Sequence, residues 1–295
     1  MATCPKKYQI LLLLIVFAIG ISQLSARTSY DDRARRLGTK IDEEEGLKVL
    51  TAFQNQRPIG GTYFQFEMHS LPRRRGEGAK VSYKGAMVTR WLKDGLAIRM
   101  EIVPLASENQ PLVSEQPTLF LSHNGLSPKV WRYAPHLDSQ KSQGPVAIKD
   151  TELLQPLMPS LDFTALDLQM GFIFWPNYTY EGRQKSRRAI HSFLMHPPPE
   201  LSEALSQISG IRIMIDERFN SLSKVELLDS NGAVQKSWHL RQFKKVGGQY
   251  TIKEIDYFNE INRRKTRFSV KKAYTDLALP SSLFQIESLN SARIQ

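Results

Sequence analysis

The sequence predicts an α+β fold: a single large antiparallel β-sheet with a few helices. Three observations carry this. Strand-like segments with alternating apolar residues recur through the chain, separated by Gly/Asn turns, most regularly in the last third. Apolar residues make up 41% and charged residues 23% of the 295 residues, an ordinary globular mix that can support a core. No second composition regime appears, which favours one domain. A sheet of this many strands must curl or close, because long flat sheets are unusual.

Met1 to Ala26 reads as a secretory signal: Lys6 and Lys7, an apolar run from Ile10 to Ile21, then small residues up to Ala26. Twelve helical residues at about 1.5 Å each reach roughly 18 Å, short of a hydrocarbon core of about 30 Å, so cleavage is favoured over a retained anchor. The only cysteine, Cys4, precedes the apolar run and leaves with it, which excludes lipidation, a disulfide framework and a cysteine metal site. Residues 27–40 form a polar, basic leader, read as a flexible solvated tail, and residues 41–295 the folded domain. The chain is expected to be exported, to the periplasm if the source is Gram-negative.

Asp42 caps a helix whose first turn is acidic and whose apolar stripe is Leu47, Leu50 and Phe53 with Val49; Pro58 and Gly60-Gly61 end it. In Thr62–Met68, Phe64, Phe66 and Met68 share one face. Ala79–Leu92 and Leu96–Val103 follow, joined by Asp94-Gly95, to give an antiparallel meander. Thr118–Ser122 and Lys129–Ala134 form a hairpin in which Trp131 and Tyr133 share a face. His136–Pro159 is a long connection of the kind that often binds or covers a site. Asp162–Met170 reads as a short helix, Phe172–Trp175 as an aromatic strand, Ser186–His196 as a strand, and Glu200–Ser209 as a short helix. Strands then run over Ile211–Asp216, Leu222–Leu228, Val234–Phe243, Tyr250–Asn259 and Thr266–Ala273, with a terminal turn from Leu279 to Phe284.

Residue chemistry points away from catalysis. The six histidines form no H-x-H or HExxH pair, and neither a nucleophile elbow nor a phosphate-binding glycine loop is present. Asp162 and Asp167 could be an acid/base pair, but helix capping or turn hydrogen bonds explain them more cheaply. No cofactor, metal or catalytic residue is expected. The formal charge of +11 gathers in Arg73–Arg75, Arg183–Arg188 and Arg263–Lys265, which read as solubilising surface or as sites for an anionic membrane surface. Export disfavours nucleic acid as a partner.

Asp162-Phe-Thr-Ala-Leu-Asp-Leu168 between a proline-bounded loop and an aromatic segment resembles the LolA-like outer-membrane lipoprotein-sorting family. So does the ending, with its Asn-Gly hairpin, Ile255-Asp-Tyr, Asn262–Thr266 and Leu279-Pro-Ser-Ser-Leu-Phe284. The resemblance covers roughly Thr62 to Leu289. It implies a half-open barrel wrapped over helices, an apolar cavity, and a non-enzymatic carrier or chaperone for the acyl chains of a lipoprotein or lipid, with envelope membrane proteins as possible partners. The wall residues expected on this reading are Phe64, Phe66, Met68, Ile98, Met100, Trp131, Phe172 and Phe174. Each also fits ordinary sheet core; the cavity claim concerns the set. A rival reading is an exported structural or sensor module that binds a protein or polyanion through its sheet and basic patches. It expects a filled core with Phe64 and Trp131 locked in place.

Overall fold

The computed structural model describes residues 42–73, 79–93, 95–106, 116–124, 128–135, 144–185, 189–290 and 294. The expected signal 1–26, the leader 27–40, and Arg74, Arg75, Asp94, Arg187 and Arg188 lie outside the described residues.

Helix α1 spans Glu43–Gln54 and starts where the sequence says it should. Asp42 Oδ1 accepts from the Glu45 backbone N–H at 3.1 Å, and three glutamates sit at the positive end of the dipole. Its buried stripe differs from the expected one: Gly46, Leu50 and Phe53 face inward, while Leu47 is 50% exposed. Gly46 is required by close approach, since a Cβ there would stand 2.7 Å from the Tyr180 ring.

The strands are β1 (Gly61–Pro72), β2 (Val81–Leu92), β3 (Gly95–Pro104), β4 (Thr118–Asn124), β5 (Lys129–Tyr133), β6 (Val146–Ala147), β7 (Tyr178–Lys185), β8 (Ala189–Met195), β9 (Ile208–Asp216), β10 (Ser221–Asp229), β11 (Val234–Val246), β12 (Gln249–Asn259) and β13 (Arg264–Leu277). They form one 13-stranded sheet in the order β6-β5-β4-β3-β2-β1-β13-β12-β11-β10-β9-β8-β7. Neighbours pair antiparallel, and β1 against β13 joins the two halves of the chain at the centre. β6 and β7 are the two ends, so the sheet is not closed.

Several expectations are corrected. Phe172–Trp175 is not a strand: Gly171–Phe174 is a 3-10 turn, entered through Met170 in the left-handed region at φ 47°. Glu200–Ser209 is not a helix. It holds one 3-10 turn, Pro199–Leu201, and β9 already begins at Ile208. The Asp162–Met170 helix is shorter, α2 over Ala165–Gln169, capped by Thr164. β7 was not expected; a register shift between Tyr180 and Gly182 breaks the alternation that would have revealed it. The long connection contains the short strand β6 and a 3-10 turn at Asp150–Glu152.

The two faces of the sheet are covered differently. The inner face carries the main core, with Phe64, Met100, Phe193, Ile213 and Trp238 buried among α1, α2 and the segment from Leu153 to Trp175. α1 lies against β7 and β9, and α2 against β4 and β5, so the inner cover is two α-helices plus irregular chain. The outer face carries a smaller cluster of Val88, Ala97, Leu119 and Leu121, covered by Phe284 and Leu289 of the C-terminal segment. Fully buried Arg99 ties that segment down, donating to the Ser288 hydroxyl at 2.9 Å and to the Leu283 carbonyl at 3.3 Å.

Candidate functional site

Period two sets the inner wall. Met87 stands opposite Met100; Met68 stands opposite Phe268, Phe268 opposite Ile255, and Ile255 opposite Leu240. One continuous apolar row therefore crosses β1, β13, β12 and β11. It is not filled. A cavity of about 800 Å³, counting the open space at its mouth, is lined by Met68, Met87, Ile98 and Met100 from one side and by Phe268, Ile252, Ile255, Tyr257, Trp238, Leu240 and Phe243 from the other. Phe53 of α1, Leu222 of β10, and Phe163, Leu168 and Met170 around α2 complete it. Four methionines in the wall, Met68, Met87, Met100 and Met170, give it pliable sides.

A second cavity of about 450 Å³ adjoins it, and Asp167, Trp238 and Tyr257 line both. The smaller cavity is more polar, with Asp162, Thr164, Lys236 and Ser237 in its wall beside Phe172 and Leu154.

The sequence around α2 positions Asp167. Thr164 caps the helix by accepting from the Asp167 N–H at 3.2 Å. In return Asp167 Oδ2 accepts from the Thr164 N–H at 2.9 Å and from its hydroxyl at 2.8 Å. Burial pushes the Asp167 carboxyl above the ordinary range, against the opposing pull of Lys236. Burial, and then the Asp167 charge, push the Tyr257 hydroxyl well above its usual value. Asp162 does different work. Its Oδ1 accepts from Asn259 Nδ2 at 2.9 Å and Asn262 Nδ2 at 3.0 Å, and its Oδ2 accepts from the Thr266 hydroxyl at 3.1 Å. It fastens the β12–β13 turn to the segment that leads into α2. Asp167 thus caps α2, and Asp162 ties two distant segments together.

Of the eight expected wall residues, Met68, Ile98 and Met100 line the larger cavity and Phe172 lines the smaller one. Phe64 and Phe66 are fully packed. Phe66 stacks on Phe268 with ring centroids 4.9 Å apart, so it backs the wall rather than forming it. Gly85 makes room for that ring, since a Cβ there would meet Phe66 Cζ at 2.5 Å. Phe174 is half-buried against the core. Trp131 is on the wrong face. Its neighbour Val130 joins the inner core, so Trp131 points outward, edge-on to His123 at 5.1 Å and against the C-terminal cluster. Sequence reading missed Trp238, Ile255, Tyr257 and Phe268. Their alternation was visible; the element that would cover them was not.

The remaining clusters are largely neutralised where they are described. Arg183 Nη2 pairs with Glu217 at 2.8 Å and lies 3.9 Å from Glu45 through Nη1. Glu45 and Glu217, with buried His191, are the group among the described residues whose ligand atoms are close enough for a metal. The Arg183 guanidinium already supplies positive charge there, and His191 Nδ1 is within 2.8 Å of the Tyr180 hydroxyl. Arg73 pairs with Glu260, and Lys265 with Asp256. Among the described residues, no helix is long and apolar enough to cross a membrane.

Comparison with known proteins is informative about fold. A family model described as "Uncharacterized protein" matches residues 109–291. No curated protein matches. The structure is similar to a putative outer membrane lipoprotein-sorting protein domain from Vibrio parahaemolyticus, with a TM-score of 0.67 and 15% identity over 84% of this chain and 99% of that one. It is similar to a DUF1329 family protein from Desulfovibrio piger, with a TM-score of 0.66 and 14% identity over 84% and 98%. A LolA superfamily protein from Nitrosomonas europaea gives a TM-score of 0.56 at 11% identity over 83% and 98%.

Proposed function

We propose that this chain, which belongs to the family described as "Uncharacterized protein" and shares its fold with LolA-like lipoprotein-sorting domains, is an exported, non-enzymatic carrier or chaperone that shelters acyl chains of a lipid or lipoprotein. Met1–Ala26 would direct it to the periplasm of a Gram-negative bacterium and be removed, and its place would be in outer-membrane lipoprotein sorting. The single observation that supports this most is the apolar cavity of about 800 Å³ under α1, walled by Met68, Ile98 and Met100 on one flank and by Ile255 and Phe268 on the other. At about 0.8 kcal/mol per buried methylene, a dozen methylenes supply roughly 10 kcal/mol against the cost of association. At the low end of that cost, about 4 kcal/mol, roughly 6 kcal/mol remains, enough for binding in the tens of micromolar without any catalytic group.

The rival polyanion-binding module shares with the structure a packed Phe64 and a Trp131 held against its neighbours, but it expects no hollow in the core. Displacement of a fluorescent fatty acid from residues 27–295, read at low and high salt, tests the carrier reading. Saturable micromolar binding that survives about 1 M salt is expected, because that ionic strength shortens the screening length to about 3 Å and weakens surface docking, not burial. Absence of saturable binding by a folded protein contradicts the reading.

A further inference from the structure

The larger cavity is apolar along most of its length, but its boundary with the smaller one is not. Trp238 is 7% exposed and belongs to the wall of both cavities, and its Nε1–H, a donor only, has no hydrogen-bond partner among the described residues. A buried indole N–H normally finds an acceptor, and leaving one orphaned is costly. Asp167 belongs to the same two walls. Its Oδ2 is held by Thr164, and among the described residues no other hydrogen bond reaches the carboxyl. Lys236, two residues before Trp238 on β11, lines the smaller cavity.

We propose that this boundary is a polar anchor for the carbonyl end of a single-chain acyl ligand. Trp238 Nε1–H and the Asp167 carboxyl hold the carbonyl, the tail runs along Met100, Ile255 and Phe268, and the head faces Lys236. The inference rests on the carrier reading and makes it specific: the site selects an acyl compound over an equally long hydrocarbon. Burial raises the Asp167 carboxyl above its ordinary range, and in its protonated form it is a second donor beside the indole. A free carboxylate and an acyl ester share the carbonyl acceptor. Lys236 distinguishes them, since only the carboxylate gains from its charge.

The test uses N-phenyl-1-naphthylamine as the apolar reporter of cavity occupancy. It is displaced from the mature protein by laurate, methyl laurate, dodecane and dodecylamine, on wild type and on Trp238→Phe, Asp167→Asn and Lys236→Gln. The expected result is that laurate and methyl laurate compete better than dodecane by about fivefold to tenfold, the size of one net hydrogen bond, and that Trp238→Phe erases this preference while the reporter still binds. Lys236→Gln should weaken laurate and leave methyl laurate unchanged if the head is a free carboxylate. Equal competition by dodecane, an unchanged preference in Trp238→Phe, or preference for dodecylamine overturns the anchor while leaving the carrier reading intact. A bridging water on Nε1 gives the first of these results. If the reporter itself does not bind the folded wild type, the carrier reading fails and the anchor with it. Should Trp238→Phe not fold, Trp238→Leu carries the same comparison, since it too removes the indole N–H, whereas Asp167→Asn keeps a donor and should leave the preference in place.

Discussion

On the outer face, the apolar residues of β2 to β4 are covered by the chain's own C-terminal segment, with Phe284 and Leu289 each 1% exposed in the cluster. On the inner face, α1, α2 and the segment between Leu153 and Trp175 cover a much larger apolar surface and leave part of it unfilled. The same alternating strands feed both faces. What differs is the cover: one patch is small enough for a short strap to match, whereas the other spans strands on both sides of the β1–β13 seam. Beyond β2 to β4, the outer face carries ion pairs instead. Arg267 makes a two-pronged pair with Asp256, at 2.7 and 3.0 Å, and Arg212 makes one with Glu181, at 2.6 and 2.8 Å, while also reaching Glu226 at 2.8 Å. On the carrier reading, binding belongs to the face whose packing is incomplete.

The sharpest way to break this contrast is to remove the strap's anchor. Phe284→Ala should cost about 3–5 kcal/mol in denaturant unfolding, as for a fully buried aromatic, while the inner cavity still takes an apolar reporter. Loss of reporter binding in a variant that remains folded would show that the faces are coupled.

Asp162→Ala should come next, at about 2–3 kcal/mol. It strands the buried donors of Asn259 and Thr266, removes a partner of exposed Asn262, and frees the β12–β13 turn from the α2 segment. Amide exchange should then speed up around residues 259–266, at one end of the cavity wall. Unchanged exchange there would remove Asp162 from the support of the site.

Overpacking separates the faces more directly. Ala97→Leu in the filled outer cluster should cost about 1–3 kcal/mol, whereas Ile252→Phe, directed at the hollow, should cost less than about 1 kcal/mol and weaken reporter binding at least tenfold. Equal costs at the two sites would mean that the hollow is not free space.

The smallest effects are in pH dependence, and they have opposite signs on the two faces. Burial, with Lys224 nearby, lowers outer-face His239 from 6.5 to about 4. The unfolded chain therefore takes up the proton first, and stability present above pH 6.5 is lost as pH falls from 6.5 toward 4. Burial raises Asp256, but Arg267 and Lys265 outweigh it and hold its carboxyl below 3.8, so its contribution is present above that value and lost on further acidification. Inner-face Asp167 is raised above 3.8 by burial. Its contribution is fully present below 3.8 and lost as pH rises through the folded value, so Asp167→Asn should stabilise the protein at neutral pH and gain less as the pH falls. His239→Gln should flatten the acid limb between pH 6.5 and 4. Unfolding midpoints across pH for the two variants check both signs.

Much of the fold was legible in the sequence because its signals are local. Asp42 and the acidic turn mark the start of α1, Gly232 and the Gly247-Gly248 pair mark hairpins, and Phe64, Phe66 and Met68 declare their shared face by spacing alone. β7 was hidden because its register shift at Gly182 interrupts the alternation. Trp131 was placed one residue off the inner face, since period two assigns relative faces within a strand and says nothing about which one meets the core. The cavity shows the same limit. Ile255, Tyr257 and Phe268 alternate as plainly as Phe64 and Met68, yet whether such a row is packed or hollow depends on α1 and the α2 segment, which reach it from distant parts of the chain. The orphaned Trp238 N–H has no sequence signal at all, because it exists only once its surroundings are assembled.

The most direct measurement is a crystal structure of the mature protein with a terminally brominated fatty acid. The account predicts an anomalous bromine peak inside the hollow, among Met68, Met100, Ile255 and Phe268, in a protein whose outer cluster is unchanged. Bromine found only on the outer surface, or an inner face closed solid by its own side chains, would contradict it.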